Sequence, residues 1–232
     1  MKPRIGVFAG DPTGIGPELT EKLLAHAETS AADVVPVGAK PRDGEYEPGK
    51  LSAAAGAYVL ASLRDAAAML TGGEIDALCY APLNKQAMKL GGLACEDELQ
   101  YFAQLLGHRG LASEINVCGD LWTSRVTSHV PLRSVAALIT EERILGSARL
   151  LNQAMRASGR HAPRIAVAAL NPHAGEGGLL GTEEITTIGP DIARARAEGI
   201  DATGPLPADT LFLSARRGDF DGVVSMYHDQ GQ

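Results

Sequence analysis

Seven short apolar runs, spaced between helical patterns, constrain this chain more than any other feature. They fall at 5–9 (IGVFA), 33–37 (DVVPV), 75–80 (IDALCY), 115–118 (INVC), 125–130 (RVTSHV), 165–170 (IAVAAL) and 222–227 (GVVSMY). Most are continuous rather than alternating, so both faces of each strand are expected to be buried. Helical patterns lie between them at 17–27, 52–70, 97–106, from Thr140 onward, and at 182–198. Pro17 stands in the first turn of its helix, and Gly72-Gly73 closes the second. Thr140 followed by Glu141 and Glu142 opens another, whose Ile144, Ala148, Leu151 and Met155 form one apolar face. Strands alternating with helices predict an α/β fold with mostly parallel sheets covered by helices. The segment 39–50 is polar, rich in Pro, Gly and charge, and short for the join of a strand to a long helix. Two α/β subdomains with a cleft are expected, 1–85 and 86–232.

Hydrophobic residues make up 45% of the chain and aromatics only 4%, which suits close helix–sheet packing better than an aromatic-rich sandwich. A net charge of −7 argues against a nucleic-acid or anionic-membrane partner. The three cysteines, Cys79, Cys95 and Cys118, have neither metal-knuckle spacing nor an even count, so reduced thiols are expected. The chain starts on a short strand with no signal-peptide pattern, and no apolar run approaches membrane-spanning length. A cytoplasmic protein is the expectation.

His26, His108 and His161 sit in a helix, after a helix end and in a turn, where solvated or capping side chains are the ordinary case. His129, His173 and His228 differ, because each follows the C-terminal end of an expected strand. Ligands of open α/β sheets bind outside the carboxyl ends of the strands. Three imidazoles delivered there could converge on a divalent cation, zinc first, with Mg, Mn, Co or Ni as alternatives. Such a cation would bind a substrate hydroxyl and a neighbouring carboxylate, as oxidation of a hydroxy acid followed by decarboxylation requires. Metal-assisted hydrolysis or aldol cleavage needs similar parts. Asp229 adjoins one of these histidines and Glu176 lies near another. Gly10–Glu18 is either an anion-binding loop or a proline-stiffened turn. Asp209, after Pro205 and Pro207, is either a capping aspartate or a carboxylate near the metal. Lys85 follows a strand end and is either a surface lysine or a charge aimed at a small anionic substrate. Trp122, Ser124 and Arg125 are read as packing and surface.

Taken as a set, GDPTGIGPE (10–18), APLNK (81–85), TSHVPLR (127–133), LNPHAGEGG (170–178), GTEEI (181–185), GPLPADTLF (204–212) and MYHDQG (226–231) resemble the 4-hydroxythreonine-4-phosphate dehydrogenase family of vitamin B6 biosynthesis. The motifs occur in the family's order over nearly the whole chain. The resemblance implies the isocitrate/isopropylmalate dehydrogenase-like fold and NAD-dependent oxidation of a phosphorylated hydroxy acid followed by decarboxylation. It implies a homodimer with active sites at the interface, and metal ligands at His129, His173 and His228, the last supplied by the neighbouring subunit. Asp209, Asp229 and Lys85 become catalytic candidates. The family's substrate-contacting His and Thr fall on Glu98 and Leu99 here, and a carboxylate in place of an imidazole changes the preferred substrate. Relatives acting on threonate or erythronate phosphates, or on a dihydrodiol dicarboxylate, are therefore alternatives, as is a metal- or metabolite-binding protein without catalysis. The family continues beyond HDQG with the Lys, Asn and Arg that hold the substrate phosphate and with much of the cofactor site. The expectation is that such a segment follows here and completes the first subdomain, and that residues are missing near 39–50. An intact mass other than 24.2 kDa would support that expectation.

Overall fold

The protein is described over residues 2–26, 31–42 and 44–231 in a computed structural model. It divides into two compact units, Met1–Gly110 and Leu111–Gln232. The first unit runs β1 (Arg4–Phe8), α1 (Gly16–His26), β2 (Asp33–Val37), α2 (Ala53–Thr71), β3 (Ala77–Tyr80), α3 (Lys85–Leu90) and α4 (Glu98–Leu105). Its sheet has the order β2-β1-β3, and both pairings are parallel. The expected end of the first helix at Ala27 lies outside the described residues. Ser52 caps α2 by accepting from the Ala55 amide at 3.3 Å, and Asn84 and Asp97 cap α3 and α4 in the same way. Phe8, Val59, Leu63, Ile75 and Met88 form the core of this unit.

The run 75–80 was expected to be buried on both faces, but Tyr80 is 40% exposed and Ala77 and Cys79 are also exposed. The cause is topological: β3 is an edge strand, and among the described residues nothing pairs along its outer side. The unit boundary falls at Gly110 rather than after Lys85. α3 and α4 belong to the first unit because they pack on α2, with Met88 and Leu93 inside its core.

The second unit runs β4 (Asn116–Cys118), β5 (Leu121–Arg125), α5 (Val135–Leu138), α6 (Glu141–Ala157), β6 (Arg164–Ala168), a π-helical turn (Glu184–Ile188), α7 (Gly189–Ala197), β7 (Asp201–Leu206), α8 (Ala208–Arg216) and β8 (Gly222–Ser225). Its five strands are ordered β4-β5-β8-β6-β7, and all pairings but β4–β5 are parallel. The apolar face of α6 is the expected one, with Ile144, Ala148, Leu151 and Met155 at 1% exposure or less. It packs with Ile165, Val167, Val224 and Met226 of the sheet and its loop. The strand expected at 125–130 ends at Arg125, and the segment beyond it is loop. Ser124 and Arg125, read as surface, are buried. Arg125 is held by Glu114 and by the Ser128 hydroxyl, which is how a guanidinium survives burial. The helix expected over 182–198 splits into the π-helical turn and α7. β7 and α8 were not foreseen.

Asp191, in the first turn of α7, is 2% exposed, and its Oδ2 makes no hydrogen bond. Burial raises its pKa above the ordinary value of 3.8. The folded chain therefore holds this proton more tightly than the unfolded chain. The carboxylate costs stability above its folded pKa, and the cost vanishes below the ordinary value. Asp191→Asn keeps the shape and removes the charge. It is expected to raise stability at pH 7 by about 1 kcal/mol, with the gain lost as pH falls below 3.8. Urea titrations at both pH values check this, and a variant less stable than the parent at pH 7 would show that the carboxylate is compensated.

Candidate active site

In the second unit, β5, β8 and β6 are consecutive and parallel, so their C-terminal ends lie along one edge of the sheet. Each end leads into a loop that carries one of the three singled-out histidines. His129 follows Arg125, the last residue of β5; His228 follows Ser225 of β8; His173 follows Ala168 of β6. Arg125 is in register with Ser225, and Val167 with Val224. Neighbouring strands are about 4.8 Å apart, so the three loops start within reach of one another. The His129 and His228 rings meet, with centroids 5.6 Å apart and a tilt of 44°.

Hydrogen bonds stitch the three loops together. Thr127, before His129, donates from its amide (3.1 Å) and its hydroxyl (2.8 Å) to the Met226 carbonyl in the His228 loop. The Gln230 side chain accepts from the Met226 amide at 2.7 Å and donates to the Ala169 carbonyl, also at 2.7 Å. Gln230 thereby joins the His228 loop to the His173 loop. Glu184, in the π-helical turn, accepts at Oε1 from the Leu170 and Asn171 amides at 2.9 and 2.7 Å, and at Oε2 from the Asn171 side chain at 3.0 Å. Burial pushes the Glu184 carboxyl up, but these hydrogen bonds, the Asn171 side chain foremost, outweigh it and hold the group below the usual range.

The His173 loop has an unusual backbone. His173, Ala174, Gly175, Glu176 and Gly177 all have positive φ, from 46° to 79°. Glycine adopts this region freely, whereas each of the other three pays about 1–2 kcal/mol for it. Gly175 is buried, and a side chain there would run into the Glu184 carboxylate. Such a run persists only where its surroundings over-determine it.

Asp229 presents Oδ1 to His228 Nδ1 at 2.7 Å. With the proton on Nδ1, the carboxylate fixes the ring and leaves Nε2 free to ligate. Asp209 is exposed in the first turn of α8 and has no place among these contacts. Glu176 is exposed within the left-handed run. Imidazoles at strand ends are the donor type that a divalent transition cation takes. Among the described residues, however, no three His, Cys, Asp or Glu side chains lie close enough together to hold one. One chain thus gathers two of the three imidazoles.

The remaining candidates lie in the first unit. Lys85 opens α3 at the end of β3, and its Nζ lies 3.5 Å from Glu98 Oε2 in the first turn of α4. That carboxylate oxygen is buried and makes no hydrogen bond. Leu99 beside it is half-buried. The glycine-rich loop after β1 is a tight turn. Asp11 accepts from the Thr13 amide and hydroxyl at 2.8 and 2.9 Å, the Asp11 amide donates to Pro82, and the Gly14 amide donates to Asp11. Those amides are already used, which removes most of the case for an anion cradle. Sequence reasoning missed Thr127, Gln230 and Glu184. Only Glu184 carried a visible signal, as a carboxylate just past a glycine-rich loop.

The chain is 37% identical to the 4-hydroxythreonine-4-phosphate dehydrogenase of Methylococcus capsulatus over 268 aligned positions, covering 100% of this chain and 81% of that protein. The alignment is longer than the chain, so the relative carries residues inside the matched span that have no counterpart here. Identity to the D-threonate 4-phosphate dehydrogenase of Pectobacterium atrosepticum is 34%, covering 100% of this chain and 83% of that one. The crystal structure of 4-hydroxythreonine-4-phosphate dehydrogenase from Klebsiella pneumoniae superposes with a TM-score of 0.89 at 34% identity, covering 99% of this chain and 83% of that one. The α/β architecture is that of the isocitrate/isopropylmalate dehydrogenase-like fold. The model of the pyridoxal phosphate biosynthetic protein PdxA matches residues 16–232, nearly the whole sequence, and the chain belongs to that family.

Proposed function

We propose that this protein is a cytoplasmic dehydrogenase that oxidises a phosphorylated hydroxy acid of the 4-phosphooxy-threonine type with NAD and then releases CO2. A divalent cation held by His129, His173 and His228 is part of the proposal, with zinc as the first choice. The observation that carries it is the delivery of three histidines by three adjacent parallel strand ends. When bound, the cation supplies Lewis acidity to the substrate hydroxyl and carboxylate. The chain's own residues do the rest. Asp229 orients His228. Lys85 attracts the anionic substrate, and Glu98 tempers that charge. The oxidation moves a hydride from the carbinol carbon to NAD and its hydroxyl proton to a base. The resulting β-keto acid then loses its carboxylate as CO2. The proposal includes a homodimer with the active site at its interface; with His228 supplied by the neighbouring subunit, His129 and His173 would share a chain, whereas the rings that meet within this chain are those of His129 and His228.

A second reading, D-threonate or erythronate 4-phosphate as substrate, starts from the departure at Glu98 from the family's pattern. A carboxylate paired with Lys85 stands where the family's imidazole is expected. The name of the Pectobacterium relative points the same way. NADH formation should be followed with both phosphates, with and without a chelator. Turnover that the chelator abolishes supports the metal-dependent dehydrogenase. No NADH from any candidate, with metal bound, would favour a binding protein. Glu98→His should change the ratio of turnover of 4-phosphooxy-threonine to that of threonate 4-phosphate by about tenfold, roughly 1.4 kcal/mol. An unchanged ratio would remove Glu98 from substrate choice.

A further inference from the structure

We infer that Glu184 is the positioning residue of the metal site, acting on His173 through the loop backbone; this rests on the reading of His173 as a metal ligand. The loop entering His173 leaves the sheet at Ala168 and turns left-handed at His173 itself. Backbone in that region does not hold its own direction, because most of its residues lie outside the conformations they prefer. Something must fix the chain on the approach. Glu184 takes both amides of the approach, Leu170 and Asn171, on one carboxylate oxygen and the Asn171 side chain on the other. The residue is 4% exposed, so no water competes for those bonds.

The same carboxylate packs against the inner wall of the turn. Gly175 approaches so closely that only hydrogen fits between its Cα and Glu184 Oε2. The Leu180 amide then closes the turn on the Gly175 carbonyl at 3.0 Å. Glu184 lies in a π-helical turn, whose extra residue per turn re-aims a side chain relative to a regular helix. Asn171 also reaches Glu183 at 2.7 Å, so the approach is braced by two successive carboxylates. Only Glu184 touches the backbone as well. A ligand imidazole on a surface loop needs such a brace, since an unheld loop spreads the ring over many positions and weakens coordination.

Glu184→Gln tests the assignment in the full chain. The amide keeps the size and the two backbone bonds at Oε1, but turns Oε2 into a donor facing the Asn171 donor. Cobalt(II) is the probe, titrated by its visible absorption at pH 7 and paired with metal-free thermal melting. Glu184→Gln should weaken cobalt binding 10- to 100-fold, while Glu142→Gln, an equal charge change on α6, stays within about twofold of the parent. His173→Ala should lose the site. If Glu184→Gln melts as an unfolded chain, Asn171→Ala, which leaves the two backbone bonds intact, must show the weakening in its place. Parent-like cobalt affinity in a folded Glu184→Gln, or in Asn171→Ala where that variant stands in, overturns the inference. A parent that binds no cobalt, or a His173→Ala variant that binds it as the parent does, overturns the metal reading itself and the inference with it.

Discussion

Replacement of His129 by alanine is expected to remove the proposed divalent cation and, with it, the proposed NADH-forming activity. The ring lies 5.6 Å from that of His228, and the two loops that carry them are joined through Thr127 and Met226. A site built from three imidazoles that loses one retains two ligands, fewer than the three protein ligands that hold a catalytic cation while leaving a position open for substrate. Removing groups that only support ligands already costs 10- to 100-fold in affinity, so the loss of a ligand itself should exceed about 100-fold. The fold should survive, because His129 is exposed on a loop and surface changes of this kind move stability by about 0.5 kcal/mol or less. Metal content measured after dialysis against zinc, beside a melting curve, separates the two effects. His161→Ala, in the turn before β6, is the matched control and should keep its metal. A His129→Ala protein with the parent's metal content would refute the site.

The parts of this architecture that sequence reveals are those set by local periodicity. The buried face of α6 was legible because Ile144, Ala148, Leu151 and Met155 repeat at helical spacing. The strand-end histidines were legible for a related reason, since an apolar run that stops at a polar loop marks a sheet edge. β5 ends earlier than its apolar pattern suggests, because Val126 and Thr127 keep donating to Ser225 and Met226 after the strand has ended, so the pattern outlasts the ladder. β7 was missed because it contains Gly204-Pro205, which reads as a breaker, whereas an edge strand tolerates proline. The stitching of the site was illegible for a deeper reason. Gln230 meets Ala169 across 61 residues of sequence, and Glu184 meets Asn171 through backbone amides that no side-chain pattern reports. Donor types can be read along a chain, but the bonds that hold them exist only after the sheet has ordered its strands.

In the first unit, the substitution with the largest expected effect is Gly56→Val, which should unfold the α2–α3 packing and lower stability by more than about 3 kcal/mol. Gly56 lies within α2, where glycine costs roughly 1 kcal/mol relative to alanine. The residue is justified by what it faces. A Cβ at Gly56 would fall inside the Ala87 carbonyl and against the Met88 amide of α3, and one at Gly91 would meet the backbone of Gly56 and Ala57. Backbone therefore packs directly on backbone at both ends of α3, and Ala87 and Met88 are buried by it at 1% exposure or less. Neither main chain can retreat, because Asn84 caps α3 and the Gly91 amide closes its last turn on Ala87. Valine adds three heavy atoms where none fits, and in a helix its rotamer freedom is nearly exhausted as well. Gly73→Ala provides the contrast. Gly73 follows α2 with φ at +67°, and nothing lies within 4 Å of where its Cβ would be. That change strains a dihedral angle without closing a contact, and should cost about 1–2 kcal/mol. Denaturant unfolding followed by far-ultraviolet circular dichroism ranks the two. If Gly56→Val unfolds at the parent's midpoint, the close crossing of α2 and α3 is wrong. Equal losses in both variants would mean that backbone conformation, rather than space, explains the glycine.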